Sequence, residues 1–198
     1  MIPEHLLREY GATIKTFLKQ EIVFKENTRV HQYYQIVSGK IKFSSLSNEG
    51  KEVLQNIFID NQCFGETFVF LDHESPVSAT ALSNTSVFTL SKRSFFRLLK
   101  DHPTYSYEIN KMFAQRLFYK MKLAQHLTSI RPDERLIALM DFLKYSNPIA
   151  DLSNVTKIPL TRQQMADFTG LTVETVIRTI KNLEKIGVVS MEDHKIFY

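Results

Sequence analysis

Glu174, Arg178 and Lys181 fall at i, i+4 and i+7 of one stretch of chain, a spacing that puts them on a single face of an α-helix. Their types suit the edges of base pairs and the phosphates beside them. A guanidinium offers two parallel donors that match guanine O6 and N7, and a carboxylate accepts from the amino group of cytosine. A helix that reads a groove turns its N-terminal residues to the bases and later ones to the backbone. The plainer alternative is a solvated Glu174–Arg178 ion pair, worth about 0.3–0.5 kcal/mol. The elements around the three residues separate the two readings.

Residues 160–190 carry the signals of helix, tight turn, helix and wing. Thr161 precedes a helical run and Gln164 follows three positions later, the spacing of a capping box. Met165 and Phe168 supply an apolar face, and Gly170 stands where the chain needs a positive φ to leave the helix. Leu171 follows as an apolar plug, and Thr172 is placed to cap a second helix over 172–185. In that helix Val176, Ile180 and Leu183 repeat at core spacing, away from the Glu174–Lys181 stripe. Gly187 then turns the chain into two short apolar strands around the polar turn Glu192-Asp193-His194. Caps, turn and wing arriving together favour contact with DNA over a bare surface pair.

The run TRQQMADFTGLTVETVIRTIKNLEKIGVV resembles the winged helix-turn-helix of the Crp/Fnr transcription regulators, most specifically in TRQ followed by the glycine turn and VETVIR. The resemblance implies that Arg162 and Gln163 touch backbone phosphates at the start of the first helix, with Thr161 beside them in the DNA-binding set. It implies that Thr172, Val173, Glu174, Thr175, Ile177, Arg178 and Lys181 face the groove, with Glu174 and Arg178 reading bases in a half-site that contains GA, as in TTGA-type or GTGA-type sites. Ile177 stands where the Fnr branch has serine and the Crp branch glycine. It either meets a thymine methyl or excludes one of the family's usual contacts.

Residues 20–100 read differently. Short apolar runs, EIVFKE, QYYQIVSG, KIKFSSLS, EVLQNIFI, VSATALSN and TSVFTLS, alternate with polar turns such as Asn48-Glu49-Gly50. YYQIVSGKIKF and CFGETFVF with SATAL resemble the double-stranded β-roll of cyclic-nucleotide-binding domains. In the members that bind cyclic AMP, Gly-Glu opens a phosphate-binding segment and Arg-Ser-Ala closes it. Gly65, Glu66 and Ser78 match, but Val77 fills the arginine position. A buried phosphate without a counter-charge is costly. Lys120 and Met121 stand where the resemblance puts the base contacts, and cyclic-AMP binders carry small hydroxyl residues there. The expectation is therefore a sensor-like domain that does not take cyclic AMP in the usual way, with no cofactor assigned. Gly65 can equally be a tight turn, and Glu66 a capping or salt-bridging residue.

Between these parts, 92–100 reads as a short helix with Phe95, Leu98 and Leu99 inward, broken at Asp101-His102-Pro103. A long helix is expected over 104–130. Asn110, Phe113, Leu117, Met121, Ala124 and Leu127 form a seam for a partner helix, the homodimer axis that the resemblance implies. A second set, Ile109, Met112, Tyr119 and Leu123, is expected against the chain's own β-roll. Arg131-Pro132-Asp133 is a hinge, and a helix over 135–145 ends at Asn147-Pro148. A loop and strand over 149–159 follow, and in the family such a loop can touch RNA polymerase.

The fold class expected is α+β: a β-roll over 1–103, a dimerisation helix over 104–131 and a winged helix-turn-helix over 132–198. The formal net charge is +4 over 198 residues. Residues 1–130 hold 16 Lys/Arg against 12 Asp/Glu and residues 131–198 hold 9 against 9, so the DNA reading rests on where charges sit rather than on their sum. No apolar run is long enough to span a membrane and no secretory pattern opens the chain, which points to the cytoplasm. The single Cys63 excludes an internal disulfide or a four-cysteine iron–sulfur cluster. The six histidines form no His-x-His metal set, and neither a catalytic nor a metal site is expected; His31, His73 and Cys63 leave haem sensing as a minor alternative, though a lone histidine near a turn is more often a surface residue. The competing class is a ligand-binding β-roll whose helical C-terminal part contacts another protein.

Overall fold

The computed structural model describes residues 1–47, 50, 52–145 and 155–198. The chain divides into two compact units, Met1–Ile109 and Asn110–Tyr198.

The first unit is a β-roll of two four-stranded antiparallel sheets. The strands are β1 (Thr13–Phe17), β2 (Ile22–Phe24), β3 (Gln32–Ser38), β4 (Lys40–Leu46), β5 (Glu52–Ile59), β6 (Cys63–Phe64), β7 (Ser78–Ala81) and β8 (Thr85–Ser91). One sheet runs β1-β8-β3-β6 and the other β2-β7-β4-β5. All six expected strands are present, and β1 and β6 are additions. In β1, TIKTF, four of five residues are exposed, so no core-facing alternation marks it. β6 is only two residues long. The β4–β5 pairing extends to Leu46↔Glu52; Asn48 and Glu49 of the expected turn lie outside the described residues.

The core between the sheets is aromatic. Phe24, Tyr34, Phe43, Phe58, Phe64 and the helix residue Phe68 form one chain of ring contacts with centroids 4.7–6.4 Å apart. Edge and offset contacts of this kind add roughly 0.5–1.5 kcal/mol per pair beyond area burial. Gly39, between β3 and β4, has φ +108, and a Cβ there would lie 2.3 Å from Thr85 Oγ1 and 2.7 Å from Thr85 Cα. Only glycine lets the β3–β4 turn pass that close to β8. Helix α1 (Glu4–Glu9), helix α2 (Glu66–Leu71) and helix α3 (Lys92–Asp101) complete the unit. The Ser91 hydroxyl caps α3 by accepting from Ser94 N at 3.1 Å, and Tyr33 stacks on Phe95 at 4.5 Å, with Phe95, Leu98 and Leu99 all buried.

The long helix α4 runs Pro103–Leu127, and the boundary between the units falls within it. It stops three residues short of the expected 130. The Thr128 hydroxyl donates to Gln125 O, Ser129 N donates to His126 O, and Arg131 N donates to Ser129 Oγ, so the chain turns before the proline. Helix α5 (Pro132–Tyr145) starts at the proline itself, three residues earlier than 135. The expected end at Asn147-Pro148, and residues 149–154 of the following loop, lie outside the described residues. Helices α6 (Arg162–Thr169) and α7 (Val173–Lys185) and strands β9 (Ser190–Glu192) and β10 (Lys195–Phe197) complete the second unit. Leu136, Leu139, Met140, Met165 and Val176 are fully buried and form its core.

Of the second α4 set, Ile109, Met112 and Leu123 are buried. Tyr119 stacks on Tyr145 of α5 at 5.3 Å, a contact within the C-terminal unit that the spacing did not indicate. The two tyrosines offer matched flat faces once the chain turns back at 128–131, a reversal that helical spacing alone does not show. No helix among the described residues is long and apolar enough to cross a membrane.

Candidate nucleic-acid interface

The interface is built on local signals. The Thr161 hydroxyl accepts from Gln164 N at 3.1 Å, and Gln164 Oε1 accepts from Thr161 N at 2.8 Å, a complete capping box at the start of α6. Gly170 closes α6 with φ +65. The Thr172 hydroxyl accepts from Thr175 N at 3.2 Å and starts α7. Val176, Thr179, Ile180 and Leu183 are buried on one side of α7.

On the opposite side Glu174, Ile177, Arg178, Lys181 and Asn182 line one shallow open depression. At 3.6 residues per turn, Glu174, Ile177, Arg178 and Lys181 lie within roughly 100° of arc. Glu174, Arg178 and Lys181 are exposed. Among the described residues no ion pair joins Glu174 to Arg178, and none engages Lys181. The solvated-pair reading is thus not what the side chains adopt. Their charges are left pointing outward from a helix that is capped and packed on its other face.

Arg162 and Gln163 sit in the first turn of α6. Gln163 Nε2 donates to Asp167 Oδ1 at 2.8 Å. Arg162 is only half-exposed: its Nη1 donates to His194 O at 2.6 Å and its Nη2 approaches Met191 Sδ at 3.2 Å. It staples α6 to the wing. A guanidinium has five donors, so others remain for a phosphate. The wing turn is tighter than expected: Glu192 belongs to β9, and only Asp193 (φ 46) and His194 (φ 61) lie between the strands. Two left-handed residues in succession give the turn whose twist suits a two-residue hairpin. A third stretch joins the wing, since Thr156 and Tyr198 exchange both backbone hydrogen bonds and Ile158 N donates to Ile196 O.

The link between α4 and α6 was not legible in the sequence. Arg135 Nε donates to Ser129 O at 2.5 Å and its Nη1 to Thr169 O at 3.1 Å, satisfying a terminal carbonyl of α6. The Ser129 hydroxyl in turn donates to Glu134 Oε2 at 2.6 Å, and Arg131 pairs with Asp133 and Glu134. The Arg131 guanidinium beside it, as hydrogen-bond donor and as charge, holds the Asp133 carboxyl below the usual carboxylate range.

The positions carried over for a ligand lie apart in kind. Gly65 (φ +79) opens α2, and a Cβ there would meet Tyr34 Cδ2 at 3.2 Å. Glu66 is buried, as is Val77, and the Ser78 hydroxyl accepts from Glu26 N at 3.0 Å. No lysine or arginine occurs between Gly65 and Ala81. Lys120 and Met121 are exposed on α4. Of the expected dimer seam, Leu117 is 62% and Met121 58% exposed; Asn110 and Ala124 are exposed, and Phe113 and Leu127 half-buried.

Residues 14–102 match the Cyclic nucleotide-binding domain family, and residues 134–197 match the Crp-like helix-turn-helix domain family. The chain is 25% identical over 176 residues to the nitrogen fixation regulation protein FixK of Bradyrhizobium diazoefficiens, covering 88% of this chain and 73% of that protein. It is 24% identical over 180 residues to the transcriptional activator protein Anr of Pseudomonas protegens, covering 90% and 73%. The solved structure of FixK2 from Bradyrhizobium japonicum superposes with a TM-score of 0.74 at 20% identity, covering 94% of this chain and 91% of that one, a likeness of fold.

Proposed function

Because the chain belongs to the Crp/Fnr family of DNA-binding transcription regulators, we propose that it acts as a homodimer that binds an imperfect palindrome through two copies of α7. The half-sites then lie about one helical turn apart, roughly 34 Å. The observation that carries this reading is the outward stripe of Glu174, Arg178 and Lys181, unpaired among the described residues and opposite the buried face of a doubly anchored helix. Glu174 and Arg178 read bases in a half-site containing GA. Thr161, Arg162, Gln163, Thr172 and Lys181 hold the backbone, and Val173, Thr175 and Ile177 complete the groove-facing surface. The exposed Leu117 and Met121 mark the α4 seam that pairs with a second copy.

The β-roll serves as sensor or scaffold and does not take cyclic AMP in the usual way. Val77 replaces the phosphate-pairing arginine, the 65–81 segment holds no lysine or arginine, and six aromatic rings pack together in the core of the β-roll. The protein has no catalytic role, works in the cytoplasm where the chromosome is, and meets RNA polymerase through the 149–159 loop. Selection of bound duplexes from a random library by the purified chain tests the reading, run without added ligand and again in cell extract. A palindrome with GA-containing half-sites is the expected result. Enrichment in neither condition would overturn it in favour of a protein-contacting helical tail.

A further inference from the structure

One side chain ties the end of α4 to the turn from which α7 starts. Ser129 lies just beyond α4, and Thr169 is the last residue of α6. Arg135, in the first turn of α5, reaches both: its Nε donates to Ser129 O at 2.5 Å and its Nη1 to Thr169 O at 3.1 Å. A Cβ on Gly170 would lie 4.0 Å from the same Nη1, so the guanidinium sits against the turn that leads into α7. Both ends are themselves held. Ser129 N donates to His126 O, Arg131 N donates to Ser129 Oγ, and that hydroxyl donates to Glu134 Oε2. The Thr169 hydroxyl donates to Met165 O, and the residue is buried. A guanidinium is planar and its donors point in fixed directions. Two carbonyls bound to one such plane are fixed relative to each other as well as satisfied.

The plainer role is that of a cap on the C-terminus of α6. It accounts for the bond to Thr169 O and leaves the bond to Ser129 O without a purpose. The hydrogen bonds of Arg135 go to these two turns and not to Glu174, Arg178 or Lys181. Resting on the homodimer reading above, we propose that Arg135 is a positioning residue that sets the direction of α7 relative to the α4 seam, and through it the half-site spacing that the dimer accepts. One base pair more or less at the operator centre moves the second half-site by about 3.4 Å and turns it by about 35°. A dimer whose α7 helices are tied to the seam rejects that displacement. One whose helix-turn-helix swings about the 128–131 turn follows it, but holds the right pose only part of the time.

The test measures binding of the full chain to the operator it selects, to versions with one base pair added to or removed from the centre, and to an isolated half-site. Wild type, Arg135→Gln and Arg135→Lys are compared, with thermal unfolding of each. The wild type should lose on the order of 10²-fold when the centre changes, since only one half-site can then be engaged. Arg135→Gln should bind the best operator about ten-fold less tightly, as when roughly a tenth of the dimers hold the right pose, and should vary by less than about three-fold across the centres. Its affinity for the isolated half-site should match that of the wild type. Lysine keeps the charge but not the fork, so Arg135→Lys should follow Arg135→Gln. A lower melting temperature with the wild-type dependence on the centre leaves Arg135 as a cap and overturns the proposal. An equal loss on operator and half-site overturns it too, as does wild-type behaviour of Arg135→Lys. If Arg135→Gln does not fold, Arg135→Lys decides by the same readouts. If the wild type selects no sequence at all, the DNA reading itself has failed, and this inference falls with it.

Discussion

Arg178 has no ion-pair partner among the described residues and stands exposed on α7. Arg178→Ala is therefore expected to leave thermal stability nearly unchanged. On DNA it should cost about 1–3 kcal/mol and relax preference at one base pair; equal losses on operator and scrambled duplex would contradict base reading. Arg162 behaves differently because its guanidinium holds the wing through His194 O. Arg162→Ala should lower affinity on every sequence, flatten the salt dependence, and also lower the melting temperature of the C-terminal unit. That last effect separates the staple from a phosphate contact alone. At Glu52 the hydrogen bond from Lys42, then that from Ser44, holds the carboxyl below its usual range. A depressed value in the folded state means that the ionised form is the favoured one. Its contribution is full above the ordinary glutamate range, near pH 4.3, and fades as pH falls through the folded value. Glu52→Gln should shrink the acid-side loss of stability below about pH 4, followed by thermal melts across pH 2–7. The pair is half-exposed, so the change is small.

Among the elements, α6 and α7 depend on hydroxyl caps. Thr172→Ala should cost about 1 kcal/mol of stability, and Thr172→Ser should restore most of it, as read by chemical unfolding. These helices were legible because every signal that makes them lies within a few residues: Thr161 with Gln164, Gly170, and Thr172 with Thr175. The strands β2–β5, β7 and β8 were legible from their apolar runs and turns. β1 was not, because its polar and apolar residues are almost all exposed and its only claim to be a strand is the pairing with β8. The aromatic core was not legible either, since Phe24, Tyr34, Phe43, Phe58, Phe64 and Phe68 come from six different elements. The α7 stripe could be read from helical spacing. The Arg162 staple could not, since its acceptor lies 32 residues away, nor could the Ser129–Arg135–Thr169 link. Local chemistry writes itself into sequence, and contacts closed by the tertiary fold do not.

For the whole molecule, the C-terminal residues 131–198 balance 9 cations with 9 anions, so the proposed binding to DNA rests on where groups are placed and on the proposed pairing of two copies rather than on net charge. Replacing Leu117 and Met121 together by Glu puts four charges into the proposed seam. Sedimentation should then show a monomer, and binding to the full palindrome should fall by well over ten-fold while circular dichroism stays unchanged. A dimer persisting in that variant would move the interface off this face of α4.

The pairing of β1 with β8 also bears on how the chain is born. Thr13 lies opposite Thr89, with their hydroxyls 3.1 Å apart across 76 residues, whereas the caps of α6 and α7 close over three. Chains rich in such distant partners fold more slowly than those held by near ones. Synthesis proceeds at about 5–20 residues per second, so β1 emerges several seconds before β8, its neighbour in the sheet, exists. An unpaired strand is a template for a second nascent chain. The exposed threonines and Lys15 of β1 keep that early edge polar until β8 arrives to claim it.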